Sequence, residues 1–176
     1  MTKIVLGGGC FWCIEAAYRE VEGVDKATSG YSGGHVENPA YQEVCMGKTD
    51  HAEVVKLKYK PEIIDLENLL EIFFKIHNPM TKDREGPDIG RQYRSIIFYQ
   101  NQIQKQEIQS FIQNKQDNYK QEIVTEVKKL KKFYPAEEKH QNYFEKNPDD
   151  AYCKMYARPK IKKAKRTADK NKNNSF

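Results

Sequence analysis

KIVLGGGCFWCIEAAYREV, residues 3–21, sets the pattern for the whole chain. Lys3 to Leu6 reads as a short strand, and Gly7-Gly8-Gly9 stops it. From Cys13 to Val21 the apolar positions Ile14, Ala17, Tyr18 and Val21 recur at helical spacing. The stretch is a strand that turns through glycine into a helix. Two thiols and two aromatic rings, Cys10-Phe11-Trp12-Cys13, stand at the mouth of that helix.

Outward from this unit the alternation continues. Val24 to Tyr31 is an expected strand ending in the turn-rich YSGGHVENP, and Tyr41 to Met46 is one short helical turn after Pro39. Glu53 to Tyr59 alternates and is rich in β-branched residues, which predicts another strand. Asp65 is the expected N-cap of LENLLEIFFKIH, where Leu66, Leu69, Leu70 and Phe73 share one face. Residues 77–92 have no apolar period and contain two prolines and two glycines. They are expected to form a long loop, of the kind that often carries function. Ser95 to Tyr99 predicts a strand, Asn101 to Tyr119 a polar helix, Ile123 to Leu130 a strand, and Ala136 to Lys146 a short helix. The expected fold class is α+β, a two-layer sandwich with a mixed sheet, extra helices and long loops.

A chain of 176 residues suits one domain. Its 11 Tyr, 8 Phe and single Trp argue against wholesale disorder. The net charge of +5 belongs to the C-terminus, because nine Lys or Arg and one acid follow Cys153. The domain is expected over residues 1–157, with 158–176 a basic, flexible, solvated extension. That run has no interleaved aromatics, only Tyr156 before it and the terminal Phe176, so no specific nucleic-acid partner is expected. No apolar run approaches the ~18 residues of a membrane span. The few residues ahead of the glycines are too short for a signal-peptide core, so a cytoplasmic protein without a membrane partner is expected. In a reducing compartment four cysteines point to catalysis or metal binding rather than to structural bridges.

A cysteine just after a glycine turn and at a helix start has reason to be reactive. Free backbone N–H groups and the helix dipole favour the thiolate, which can bring the pKa from ~8.5 into the range ~3.5–7.5. Cys10 sits at the turn and is the better nucleophile; Cys13 lies one turn further on. Four readings compete. A thioredoxin-like redox pair wants a small or prolyl residue pair between its thiols, and Phe-Trp is poor for that. Half of a zinc site wants further ligands, such as Cys45, His51 or Cys153, and no second C-x-x-C or H-x-x-x-H exists. Two buried core cysteines fit badly beside three glycines. In the fourth reading, exposed Phe11 and Trp12 cage a methyl group and a thioether stem. There a thiol attacks a sulfoxide sulfur, becomes a sulfenic acid and condenses with the second thiol.

The sequence resembles the A-type peptide-methionine sulfoxide reductases over roughly residues 4–153. The resemblance rests on GCFW (9–12), GYSGGHVENPAYQEVC (30–45), HAEVV (51–55), DIGRQYRS (88–95) and YPAEEKHQNYFEKNP (134–148). It implies an α+β sandwich with a ferredoxin-like core. The implied activity is reduction of the S epimer of free and protein-bound methionine sulfoxide, recycled by thioredoxin, with no cofactor and no metal, in a monomer. It places the nucleophile on Cys10, the acid on Glu53, substrate-orienting hydroxyls on Tyr41 and Tyr93, and an Asp on Asp88. Phe11 and Trp12 line the implied methyl pocket. The resolving thiol is Cys13, with Cys153 as the alternative; Cys45 is read as structural. Taken alone, Glu53 reads as an outward residue at a strand start, Tyr41 and Tyr93 as ordinary half-buried tyrosines, and His35 and His51 as structural or surface histidines. The chain departs from the family pattern at Asp50, where Gly is frequent, at Asn78 and Met80, and at Glu85 and Pro87 in Arg84-Glu85-Gly86-Pro87.

Overall fold

Ile4, Val5 and Leu6 are all fully buried, which requires a strand covered on both of its faces. β1 (Thr2–Gly7) is that strand, in a computed structural model that describes residues 2–174. It leads into α1 (Phe11–Arg19), β2 (Val24–Ser32), the single-turn α2 (Tyr41–Cys45), β3 (Ala52–Tyr59) and α3 (Leu66–Ile76). A small hairpin, β4 (Arg84–Glu85) with β5 (Asp88–Ile89), precedes β6 (Ile96–Tyr99) and α4 (Gln102–Lys115). β7 (Glu126–Lys129), β8 (Tyr134–Pro135), α5 (Tyr143–Lys146) and α6 (Arg158–Asn173) follow. The main sheet runs β7-β6-β1-β3-β2-β8; only β6 and β7 pair in parallel, so the sheet is mixed.

Strand alternation divides the interior in two. Ile4, Leu6, Val55, Leu57 and Ile97 join Ile14 and Ala17 of α1, Leu69 and Phe73 of α3, Phe111 of α4 and Ala164 of α6. Val5, Ala52, Val54, Ile96 and Phe98 form a smaller cluster under Leu130 and Phe133. Each fully buried Leu, Ile or Phe contributes roughly 1.5–3 kcal/mol, so the helix-covered side supplies most of the cohesion. The architecture is the expected α+β arrangement of a mixed sheet with helices.

Local expectations hold where a cap or a period is strong. Asp65 accepts the Asn68 N–H at 2.8 Å and starts α3. The predicted loop 77–92 carries the β4–β5 hairpin and the 3-10 turn Arg91–Tyr93. The predicted helix over 136–146 divides into a 3-10 turn, Glu138–His140, and α5, because Asn142 adopts a left-handed φ of 52° between them. α4 ends at Lys115 rather than at Tyr119.

The solvated extension expected after residue 157 is corrected. Arg158–Asn173 are helical and pack against α1 and α3. Buried Ala157 and Ala164 with half-buried Ile161 and Ala168 make the inward stripe, and the lysines take the remaining faces. Lys165 pairs with Glu20 at 3.1 Å, and Lys172 pairs with Glu22. Ser175 and Phe176 of the expected extension lie outside the described residues. No described helix is long and apolar enough to cross a membrane.

Candidate active site

β3 decides where the acid goes. Its alternation puts Glu53 in phase with buried Val55 and Leu57 and, across the sheet, opposite Tyr31. Glu53 therefore points inward, only 1% exposed, and not outward as a lone strand-start glutamate would. Its Oε1 accepts the Phe11 N–H at 3.1 Å, one of the free donors at the start of α1. Its Oε2 is buried without a hydrogen-bond partner. Burial, helped by the charges of Asp88 and Cys13 and opposed by the Phe11 bond, raises the carboxyl from 4.5 to about 8. The group keeps its proton at neutral pH, where it can donate.

Cys10 is the N-cap of α1, and Cys13 lies in the first turn, its N–H donating to the Cys10 carbonyl at 3.2 Å. The preceding Gly9 has φ +86°, and a Cβ there would come within 2.6 Å of the Glu85 side chain, so the turn needs glycine. Cys10 is 7% exposed, enough to be reached and not fully occluded. The expected fall in its pKa is corrected. Burial pushes the thiol up, and a hydrogen bond with Cys13 and the Glu53 charge add to this, against the Trp12 N–H. Cys13 moves the other way, chiefly through its hydrogen bond with Cys10, with Lys160 and Tyr152 also favouring its thiolate against burial. The hydrogen bond between the two sulfurs thus favours ionisation at Cys13 over Cys10.

The aromatic pair splits its duties. Phe11 has no exposed surface, which corrects the expectation of two exposed rings; it supports Tyr31 and Tyr41 at ring separations of 5.6 and 6.1 Å. Trp12 is half-buried and stacks on Tyr143 at 3.7 Å, with its indole N–H donating to His140 Nδ1 at 3.2 Å. His140 in turn lies 4.1 Å from the Tyr41 ring. Trp12, Tyr41 and Tyr143 thus give an aromatic wall whose orientation His140 holds.

The Glu53 charge reaches Cys10, Tyr41 and Tyr93, so the structure gathers these four expected residues around one point. Burial first, and that charge next, push both phenols up, so both remain donors. The Tyr93 carbonyl accepts the Gly9 N–H at 3.1 Å and ties the 3-10 turn to the glycine turn before Cys10. Asp88 accepts from the Tyr152 hydroxyl, which also contacts the Cys13 sulfur. Cys153 is completely buried, its thiol pushed up to about 12 by burial and by Asp150. Cys45 is half-buried and hydrogen-bonds with the Tyr41 hydroxyl. His51 is structural: its Nδ1 accepts the Gly34 N–H at 2.9 Å, and Nε2 faces the Val36 carbonyl at 2.6 Å. Asp50 stands at φ 57°, a left-handed conformation that glycine would adopt without strain, and accepts from Arg91 at 2.7 Å.

Sequence reading missed His140, Tyr143, Tyr152, Lys160 and Glu85. The first three are aromatic or imidazole residues that reach Trp12, Tyr41 or Cys13 from the far end of the chain. The burial of Glu53 has a local signal: it is in phase with Val55, Leu57 and Tyr59, so it shares an apolar face. Two clefts lie away from the site. One of about 540 Å³ includes Arg91, Arg94 and Phe98, and one of about 590 Å³ lies between α3 and α4. Neither includes a residue of the thiol and acid cluster, and chemistry rather than size identifies the site. Among the described residues no three His, Cys, Asp or Glu side chains gather as a metal site would require.

Residues 2–173 match the family model described as peptide methionine sulfoxide reductase. A peptide methionine sulfoxide reductase MsrA of Natronomonas pharaonis is 54% identical over 158 residues, covering 89% of this chain and 89% of that protein. Reduced Mxr1 of Saccharomyces cerevisiae is similar in structure, with a TM-score of 0.83 and 36% identity over 88% of this chain and 90% of that one. Mxr1 in complex with Trx2 matches with a TM-score of 0.58 and 27% identity, over 81% and 84% of the two chains.

Proposed function

The chain belongs to the peptide methionine sulfoxide reductase family, and from that premise we propose how its own residues divide the reduction of methionine sulfoxide to methionine. Trp12 and its aromatic neighbours receive the methyl and thioether groups, with Phe11 behind them. Glu53 gives its proton to the sulfoxide oxygen while the Cys10 sulfur attacks the sulfoxide sulfur. The oxygen passes to Cys10, methionine leaves, and Cys10 is left as a sulfenic acid. The proton that Cys10 loses replaces the one Glu53 has given. Tyr41 and Tyr93 hydroxyls donate to the oxygen as its charge develops. Asp88 stands at the edge of the site, joined to it through Tyr152.

Cys13 then attacks the sulfenic sulfur, water departs, and a Cys10–Cys13 disulfide remains. Its position on the first turn and its hydrogen bond with Cys10 support this choice. Cys153, with its thiol held protonated, is the weaker candidate. Thiol–disulfide exchange with thioredoxin restores the dithiol, a reading supported by the complex of the yeast relative with Trx2. The substrate is read as the S epimer, free or in proteins, and the enzyme as a cytoplasmic monomer that uses thiols alone.

One observation carries this reading: a buried, proton-retaining Glu53 with one oxygen held by Phe11 and the other without a partner, beside Cys10. The test supplies racemic N-acetyl-methionine sulfoxide with dithiothreitol. Half of the racemate, the S epimer, should disappear, and Cys10→Ser should abolish the loss. Consumption of both epimers, or turnover by the Ser variant, would overturn it.

A further inference from the structure

The start of α6 brings a charge into the site. Lys160 Nζ donates to Glu85 Oε2 at 3.0 Å, and both side chains are largely buried, 15% and 12% exposed. Glu85 is fixed on its other side, where Oε1 accepts the Asn78 N–H at 2.9 Å and the chain packs against Gly9, next to Cys10. The pair therefore joins the C-terminal helix to the nucleophile turn. Beside it, Tyr152 donates to Asp88 and contacts the Cys13 sulfur, so one phenolic proton stands between two acceptors.

The reaction leaves this group unexplained. Resolution needs a thiol that attacks as an anion, and it needs to be the correct thiol. The Lys160 charge reaches Cys13, Asp88 and His77, and the Glu85 charge reaches Asp88 and His77. The buried pair lies against the turn that precedes Cys10, and the helix that carries Lys160 packs on α1, the helix of Cys13.

We propose that Lys160 is a positioning residue for the resolving step, its ammonium group seated on Glu85 so as to stabilise negative charge on the Cys13 sulfur and make that thiol, rather than Cys153, attack oxidised Cys10. The step balances within the site. The Cys13 proton leaves before attack, the S–S bond forms as the Cys10 S–O bond breaks, and the departing hydroxide takes a proton from Glu53 and leaves as water. Glu53 is reprotonated from solvent. The groups facing Cys13 are Cys10, Lys160, Tyr152, Asp88, Glu53 and Cys153.

The inference rests on the assignment of Cys10 and Cys13 above, and single-turnover kinetics separate the two. Reduced protein is mixed with N-acetyl-methionine sulfoxide without reductant; released methionine reports the first step. Thiol loss, with dimedone trapping of the sulfenic acid, reports the second. Lys160→Met with Glu85→Gln removes both charges together, Lys160→Gln keeps a hydrogen bond to Glu85, and Lys160→Arg keeps the charge. In the first two, disulfide formation at pH 7 should slow about tenfold relative to methionine release, with its pH midpoint about one unit higher. Dimedone capture should rise, and Lys160→Arg should restore the wild-type midpoint. An unchanged midpoint in Lys160→Gln would overturn the proposal, even if the rate fell. Absence of a methionine burst from the wild-type protein would instead refute the underlying assignment.

Discussion

Replacing Glu53 with Gln should make the protein progressively more stable than wild type as the pH rises, while crippling the reaction. The carboxyl titrates at about 8 in the folded chain against 4.5 for an unperturbed group. Between those values the unfolded chain has lost this proton and the native chain keeps it, so native stability falls by about 1.4 kcal/mol per pH unit. The accumulated cost is about 3 kcal/mol at pH 7, about 4 kcal/mol at pH 8 and levels off near about 5 kcal/mol above that. At 1% exposure no solvent screening reduces it appreciably. Gln keeps the acceptor for Phe11 but places an amide where Oε2 has no partner, a pH-independent cost of ~1–3 kcal/mol. The difference between variant and wild type, from urea unfolding under reducing conditions at pH 5, 6, 7 and 8, should therefore change by about 1.4 kcal/mol per unit and favour the variant near neutrality. Two stability curves that run parallel across that range would refute the argument. The same variant should reduce sulfoxide ~10²–10⁴ times more slowly and lose the decline of activity above about pH 8.

Two further outcomes are expected. Cys13→Ser should produce one methionine per chain and then stall with thioredoxin, while Cys153→Ser should keep turning over; the reverse pattern would move the resolving role. A chain ending at residue 157 uncovers α1 and α3 and should lose on the order of 2–5 kcal/mol, the cost of deleting a large core side chain, as read by thermal or urea unfolding.

The parts of the fold that were legible in the sequence were those written in neighbouring residues. The strand, glycine turn and helix at residues 3–21, the Asp65 cap and the alternation of β3 each depend on side chains a few positions apart. What escaped was either weakly marked or remote. The stripe of α6 is made mostly of alanines set in a run of lysines, so its charge disguised its period. The division before α5 depends on one asparagine taking a left-handed turn. At the site, Cys10 and the Trp12 neighbourhood could be found because they are contiguous. Tyr152 and Lys160 reach Cys13 from more than a hundred residues away, and nothing local announces it. A depressed Cys10 pKa follows from the helix end alone; burial and the hydrogen bond with Cys13, with a nearby acid, outweigh it.

The shielding of Cys10 bears on the survival of a repair enzyme among oxidants. Hydrogen peroxide attacks thiolates, not thiols, and it must first reach them. A sulfur 7% exposed and held protonated is a poor target for it. Under the proposed mechanism the thiol ionises only as a sulfoxide accepts the Glu53 proton, which would admit damaged methionine to the chemistry while keeping out the agent that damaged it.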